Sequence, residues 1–152
     1  MRKILVLIGL LSNLASAKVV TDADKYFSVD VPDAWRHSAS KDSRGVAVVG
    51  WKNAKNTGGL ILTRVLAKDK SLEDWAKAAA RQNPKVNISE DRLDGQAARR
   101  LEFKTDEGYH NILWLTKKGQ QGAMITLVYT DECPDDIEAV KKTIVSSFHW
   151  KK

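Results

Sequence analysis

Residues 26–32 alternate strictly, with Phe27, Val29 and Val31 on one side and Ser28 and Asp30 on the other, which predicts a half-buried strand stopped by Pro32. A polar stretch over 36–44 predicts a loop, and the apolar runs 46–51 and 60–66 predict two strands. Asn56-Thr57-Gly58-Gly59 between them is turn chemistry, so the pair predicts a hairpin. Ser71 then opens a helix. With Asp74 it resembles a capping box, and Leu72, Trp75, Ala76 and Ala79 recur at the spacing of one buried face until Asn83-Pro84 ends the element. A short extended piece over 85–89 leads through Asp94-Gly95 into three strand-like runs, 96–104, 109–116 and 123–130. Their short, Gly-bearing connections predict an antiparallel meander. A second helix follows, with Pro134 in its first turn, Asp135 and Asp136 at the positive end of its dipole, and Ile137, Val140, Ile144 and Phe148 as its apolar stripe. Lys141 and Lys142 fall on its solvent side.

Runs of strands with one helix inserted and another at the end predict an α+β fold, with helices packed on a mainly antiparallel sheet of about six or seven strands. Ile112, Leu113, Trp114 and Leu115 are apolar on both parities, so the middle of that sheet is expected to be covered on both faces.

The first 17 residues stand outside this pattern. Arg2 and Lys3, an apolar run over 4–11 and the small-x-small triplet Ala15-Ser16-Ala17 make 1–17 a secretory signal peptide, too short and too interrupted for a membrane span. The domain is then 18–152, undivided by any repeat or linker. Position 18 is Lys18 and not Cys, so a bacterial lipid anchor has no attachment point and no stable membrane anchor is expected after cleavage. A single cysteine, Cys133, suits the bacterial periplasm better than a disulfide-rich eukaryotic secreted domain, with secretion as the alternative. Cys133 itself is expected to be incidental, at the entrance to the last helix.

Composition adds exclusions. With 43% hydrophobic and 29% charged residues the 152-residue chain fits neither disorder nor a multi-span membrane protein. Its net charge of +6 comes from Lys and Arg interspersed with acids along the chain, not from a clustered stripe, so nucleic acid is not an expected partner.

Reactive chemistry is sparse in the sequence. His37, His110 and His149 lie far apart, none has a metal-type partner at i+3 or i+4, and Cys133 is the sole thiol, so neither a metal site nor any other cofactor is expected. Asp106, Glu107 and His110 surround one predicted turn, where acids and Gly collect for conformational reasons. No nucleophile elbow, P-loop or dinucleotide fingerprint occurs, and no catalytic residue is assigned. Two arginines are less ordinary. Arg99 shares parity with Ala97, Leu101 and Phe103, and Arg64 with Leu60, Leu62 and Leu66; an Arg there must pair with an acid, reach the rim or line a groove. Trp and Arg are enriched in binding hot spots, and Trp51, Trp114 and Trp150 are the tryptophans the pattern leaves less determined, of which Trp51 and Trp114 join the arginines. The candidate binding residues are therefore Trp51, Arg64, Arg99 and Trp114.

The run Tyr26-Phe27-Ser28-Val29-Asp30-Val31-Pro32-Asp33-Ala34-Trp35, with its Pro-x-x-Trp corner, resembles the opening strand of the PsbP-like fold family. The helix start Ser71-Leu72-Glu73-Asp74-Trp75, the strand entry Asp94-Gly95-Gln96-Ala97 and the closing Ile144-Val145-Ser146-Ser147-Phe148 are similar to it as well. That fold is shared by PsbP, the Ran nucleotide-release factor and small exported bacterial proteins. The resemblance implies an α/β/α sandwich used mainly to bind other proteins and seldom to do chemistry, and it carries over no binding residue. The expectation is a periplasmic, non-enzymatic protein that recognises another envelope protein as an accessory factor, adaptor or inhibitor, an immunity protein being one version. The alternative is a binder of a small anionic ligand or envelope polymer in a groove lined by Arg64 and Arg99.

Overall fold

A computed structural model describes residues 16–41 and 47–152. The predicted signal peptide lies outside the described residues except for its last two positions. In chain order the elements are β1 (Ala17–Thr21), β2 (Phe27–Pro32), β3 (Arg36–Lys41), β4 (Ala47–Lys52), β5 (Gly58–Leu66), α1 (Leu72–Ala80), β6 (Asn87–Leu93), β7 (Gln96–Lys104), β8 (His110–Lys118), β9 (Gln121–Tyr129), α2 (Ile137–Ser147) and β10 (His149–Trp150). Seven strands form one sheet in the order β3-β4-β5-β9-β8-β7-β6, and β1-β2-β10 form a second. The pairings within the two sheets are antiparallel. The α+β expectation therefore holds.

Local chemistry accounts for the elements that the pattern predicts. Ser71 Oγ accepts the Asp74 amide at 3.0 Å and caps α1. Asp136 does the same for α2 through the Ala139 amide. Asp94 and Gly95 both have positive φ, 48° and 73°, as a two-residue turn between β6 and β7 requires. Trp35 follows the turn that closes when its amide reaches the Pro32 carbonyl at 3.0 Å, and it is fully buried.

Three differences from the sequence reading have simple causes. The polar stretch over 36–44 contains β3, an edge strand whose Arg36, His37 and Lys41 are exposed and whose sequence shows no apolar period. The extended piece over 85–89 is the start of β6, which runs on to Leu93. Lys141 is not on the solvent side: its side chain is 17% exposed and paired with Glu138 at 2.8 Å.

The seven-stranded sheet has a different cover on each face. Leu60, Leu62, Ile112, Trp114, Ile125 and Leu127 point to the face that packs against the second sheet and α2, meeting Phe27, Val29, Val31, Val140, Ile144 and Phe148. Ser147 of α2 accepts the Asp30 amide of β2 at 2.8 Å, and Trp150 donates its amide to Asp94 at 2.9 Å, tying these layers together. On the other face α1 packs Trp75 and Ala76 over Leu101 and Leu115, with Val65, Leu113 and Met124 around them.

Candidate functional site

A helix of nine residues is about 14 Å long, whereas a nine-residue strand runs about 30 Å. α1 therefore covers only one end of its face. Cross-strand register shows what is left. Ile61 pairs with Thr126, Thr126 with Leu113, Val128 with Asn111, and Asn111 with Phe103, so these six side chains lie in two adjacent rows. All six are half-buried, and Ile61, Phe103 and Val128 pack in neither core cluster. Tyr109, just before β8 and two residues from Asn111, is 45% exposed. It borders a shallow depression of about 160 Å³ with Lys52, Asn56 and Val128. Arg36 and Lys52 are paired across β3 and β4 and exposed, so this corner of the apolar surface is positively charged.

The four sequence candidates are placed elsewhere. Trp114 is fully buried, its Nε1 donating to Asp91 at 3.2 Å, and Trp51 is 7% exposed with its edge against His37. Both belong to the core beneath the second sheet, not to a binding surface. Arg64 is held by three groups: Asp24 at 2.9 Å, Gln121 Oε1 at 2.9 Å, and the Tyr26 ring, whose centroid is 4.0 Å from its guanidinium carbon. Arg99 projects from the opposite face, beside α1, where it donates to the Ala98 carbonyl and lies 4.0 Å from Glu90. The groove expected between the two arginines is corrected accordingly: a sheet separates them.

Histidine geometry is also settled. His110 Nε2 meets Asp131 Oδ1 at 2.6 Å, and its ring stacks on Tyr129 at 4.7 Å, so its acidic partner is Asp131 and neither Asp106 nor Glu107. The hydrogen bond from His110, together with Lys104 at 3.2 Å, holds the Asp131 carboxyl below its ordinary value. His149 lies 3.2 Å from Asp94. Cys133 sits against Asn53 and Asp135, and burial pushes its thiol up, away from the thiolate a nucleophile needs. Among the described residues no three His, Cys, Asp or Glu groups are placed to share a metal ion, and no helix is long and apolar enough to cross a membrane.

These half-buried sheet rows escaped the sequence reading because Tyr109, the exposed residue beside them, belongs to a turn-like stretch. The signal that could have found them is the double parity of β5, β8 and β9: two apolar faces need two covers, and the first helix is long enough for half of one.

No family model matches the sequence, and no curated protein matches it. Solved structures do resemble it. Cyanobacterial PsbP (CyanoP) from Synechocystis superposes with a TM-score of 0.64 at 18% identity, covering 90% of this chain and 94% of that one. The Ran-binding protein Mog1p of Saccharomyces cerevisiae gives 0.61 at 14% identity, covering 90% and 96%. LpqN of Mycobacterium tuberculosis, involved in cell envelope biogenesis, gives 0.56 at 15% identity, covering 88% and 89%. The fold is PsbP-like.

Proposed function

We propose that this chain of PsbP-like fold is an exported, periplasmic, non-enzymatic protein that recognises another envelope protein. The observation that carries the reading is the half-buried sheet rows of Ile61, Phe103 and Val128, which among the described residues pack in neither core cluster and are ended by the exposed Tyr109. Flat apolar rows with an aromatic anchor and a charged rim suit a protein surface better than a small molecule, which wants a deeper, more enclosed site. Arg36 and Lys52 at the rim favour a partner that is acidic there. The likeness to a Ran-binding protein and to a protein of envelope biogenesis supports the class, not the partner.

The test is capture from envelope extract with the full gene product expressed with its leader and tagged at the C-terminus, comparing wild type with Val128→Asp and Tyr109→Ala. A stoichiometric partner retained by wild type and lost by both variants is expected, with N-terminal sequencing of the bait starting at Lys18. A partner retained equally by all three baits removes this face from the interface. A repeatable blank removes the protein-binding reading.

A further inference from the structure

Among the described residues β6 is one of the two edge strands of the main sheet, and α1 lies across a cleft from it. That cleft, about 360 Å³, is lined by Glu73, Ala76 and Lys77 of the helix and by Ile88, Ser89, Glu90 and Arg99 of the sheet. The two-residue turn at Asp94 and Gly95 fixes which backbone groups point outward. Such a turn is closed by a hydrogen-bonded pair, here Leu93 and Gln96, and hydrogen-bonded pairs then alternate along the ladder. Asp91, Ser89 and Asn87 thus spend their amides and carbonyls on β7, while Arg92, Glu90 and Ile88 point theirs away from it. The Arg92 amide confirms this parity by donating to the Asp91 side chain at 2.8 Å. Among the described residues the amides of Ile88 and Glu90 have no acceptor outside the ladder.

The same three residues carry their side chains on the α1 side, because Ile88 pairs with Leu101, Glu90 with Arg99 and Arg92 with Ala97. Ile88 is 41% exposed, and the Glu90 side chain is 87% exposed, with only the 4.0 Å approach of Arg99 beside it.

We infer that the edge of β6, facing α1 across this cleft, takes an extended peptide of a partner protein as an added antiparallel strand. The added strand exchanges main-chain hydrogen bonds with Ile88 and Glu90, and its alternate side chains enter the cleft. Cross-strand pairing sets their chemistry: an apolar residue opposite Ile88, a basic one opposite Glu90 and an acidic one opposite Arg92. Antiparallel direction orders them from the N-terminus as acidic, any, basic, any, apolar. A second copy of this chain fits less well. Two β6 edges related by a two-fold through Glu90 would set that carboxylate against itself. This is a second surface, and it stands independently of the Tyr109 face.

The probe is a fluorescein-labelled peptide with Glu, Lys and Val at the three alternate positions and Thr between them, titrated into the full-length protein by fluorescence anisotropy. Saturable binding is expected, together with slowed hydrogen exchange at the Ile88 and Glu90 amides. Glu90→Pro removes one outward donor without touching the β7 ladder, an edge position that tolerates proline, and should weaken binding by about tenfold or more. Should that variant fail to fold, Glu90→Lys takes its place: it should lose this peptide and gain the one with Glu in place of Lys. Val128→Asp, on the other surface, should bind the peptide as wild type does. A flat wild-type titration overturns the inference, as does equal affinity in Glu90→Pro and in Glu90→Lys. So does a wild-type dimer that Glu90→Pro makes monomeric, since the edge would then belong to a second copy.

Discussion

The Trp75 ring lies directly on the bare backbone of Gly122, so close that a Cβ there would come within 3.0 Å of two ring carbons. This contact seats α1 on β9. Gly122→Ala should push the helix off its seat and lower stability by about 1–3 kcal/mol, the usual range for an overpacked core. Trp75→Ala alone should lose about 3–5 kcal/mol. In the Trp75→Ala background the glycine substitution should cost less, because the ring is gone and only the close approach to the Val65 carbonyl, 3.1 Å, remains. Urea denaturation of the four proteins checks this.

Arg64 should prove a clamp and not a ligand-binding group. Its contacts to Tyr26, Asp24 and Gln121 join the loop after β1 to the ends of β5 and β9. Arg64→Gln is expected to lower stability by about 1 kcal/mol. Calorimetric titration with phosphate or sulfate should show no difference between the two proteins.

The acid limb of stability should reflect Asp131. Its carboxyl is held below the ordinary value of 3.8 by His110 first and Lys104 second. A depressed carboxyl favours the folded state at pH above that ordinary value, and the contribution disappears as pH falls through the folded value. Asp131→Asn should therefore be less stable than wild type at neutral pH, with the difference closing below pH 3.8. Melting temperatures measured over the acid range test the sign.

Cys133 should behave as a structural thiol. Burial raises it above its ordinary 9.0, so the folded state holds the thiol proton more tightly than the unfolded chain does. Any stability linked to that proton is complete below 9.0 and is lost as pH rises beyond it. Alkylation by iodoacetamide at neutral pH should be slow in the native protein and fast in urea. The sulfur also sits 2.9 Å from where a Cβ on Gly58 would be, so Gly58→Ala should cost about 1–3 kcal/mol and Cys133→Ala should relieve part of it.

What the sequence disclosed follows from where each element sits. The strand over 26–32 and both helices announce themselves because apolar and polar residues alternate in them at a fixed period, and the meander because its apolar runs are separated by short, Gly-bearing turns. β3 has no such contrast: Arg36, His37 and Ser38 owe their extended conformation to pairing with β4, a long-range cause that leaves no local trace. β10 is two residues long, and β1 begins within the predicted leader. The binding residues were harder for a related reason. Arg64 and Arg99 each share parity with apolar neighbours, but parity is relative to one strand, and this sheet has two apolar faces. Enrichment of Trp at interfaces likewise says nothing about which side of a strand Trp51 or Trp114 takes; both went inward.

The small sheet carries one more consequence. β2 lies near the start of the described chain, yet its second edge is completed by β10, and its Asp30 amide is held by Ser147, 117 positions away. A nascent chain emerging from the ribosome cannot close this layer until residue 150 has been made. Until then Phe27 lacks Phe148, whose ring stacks on it, and Trp150, which meets it edge-on. For nearly the whole of synthesis the polypeptide thus carries an apolar strand with one open flank. Completion of this layer is therefore expected late, once the last residues are available to pair with β2.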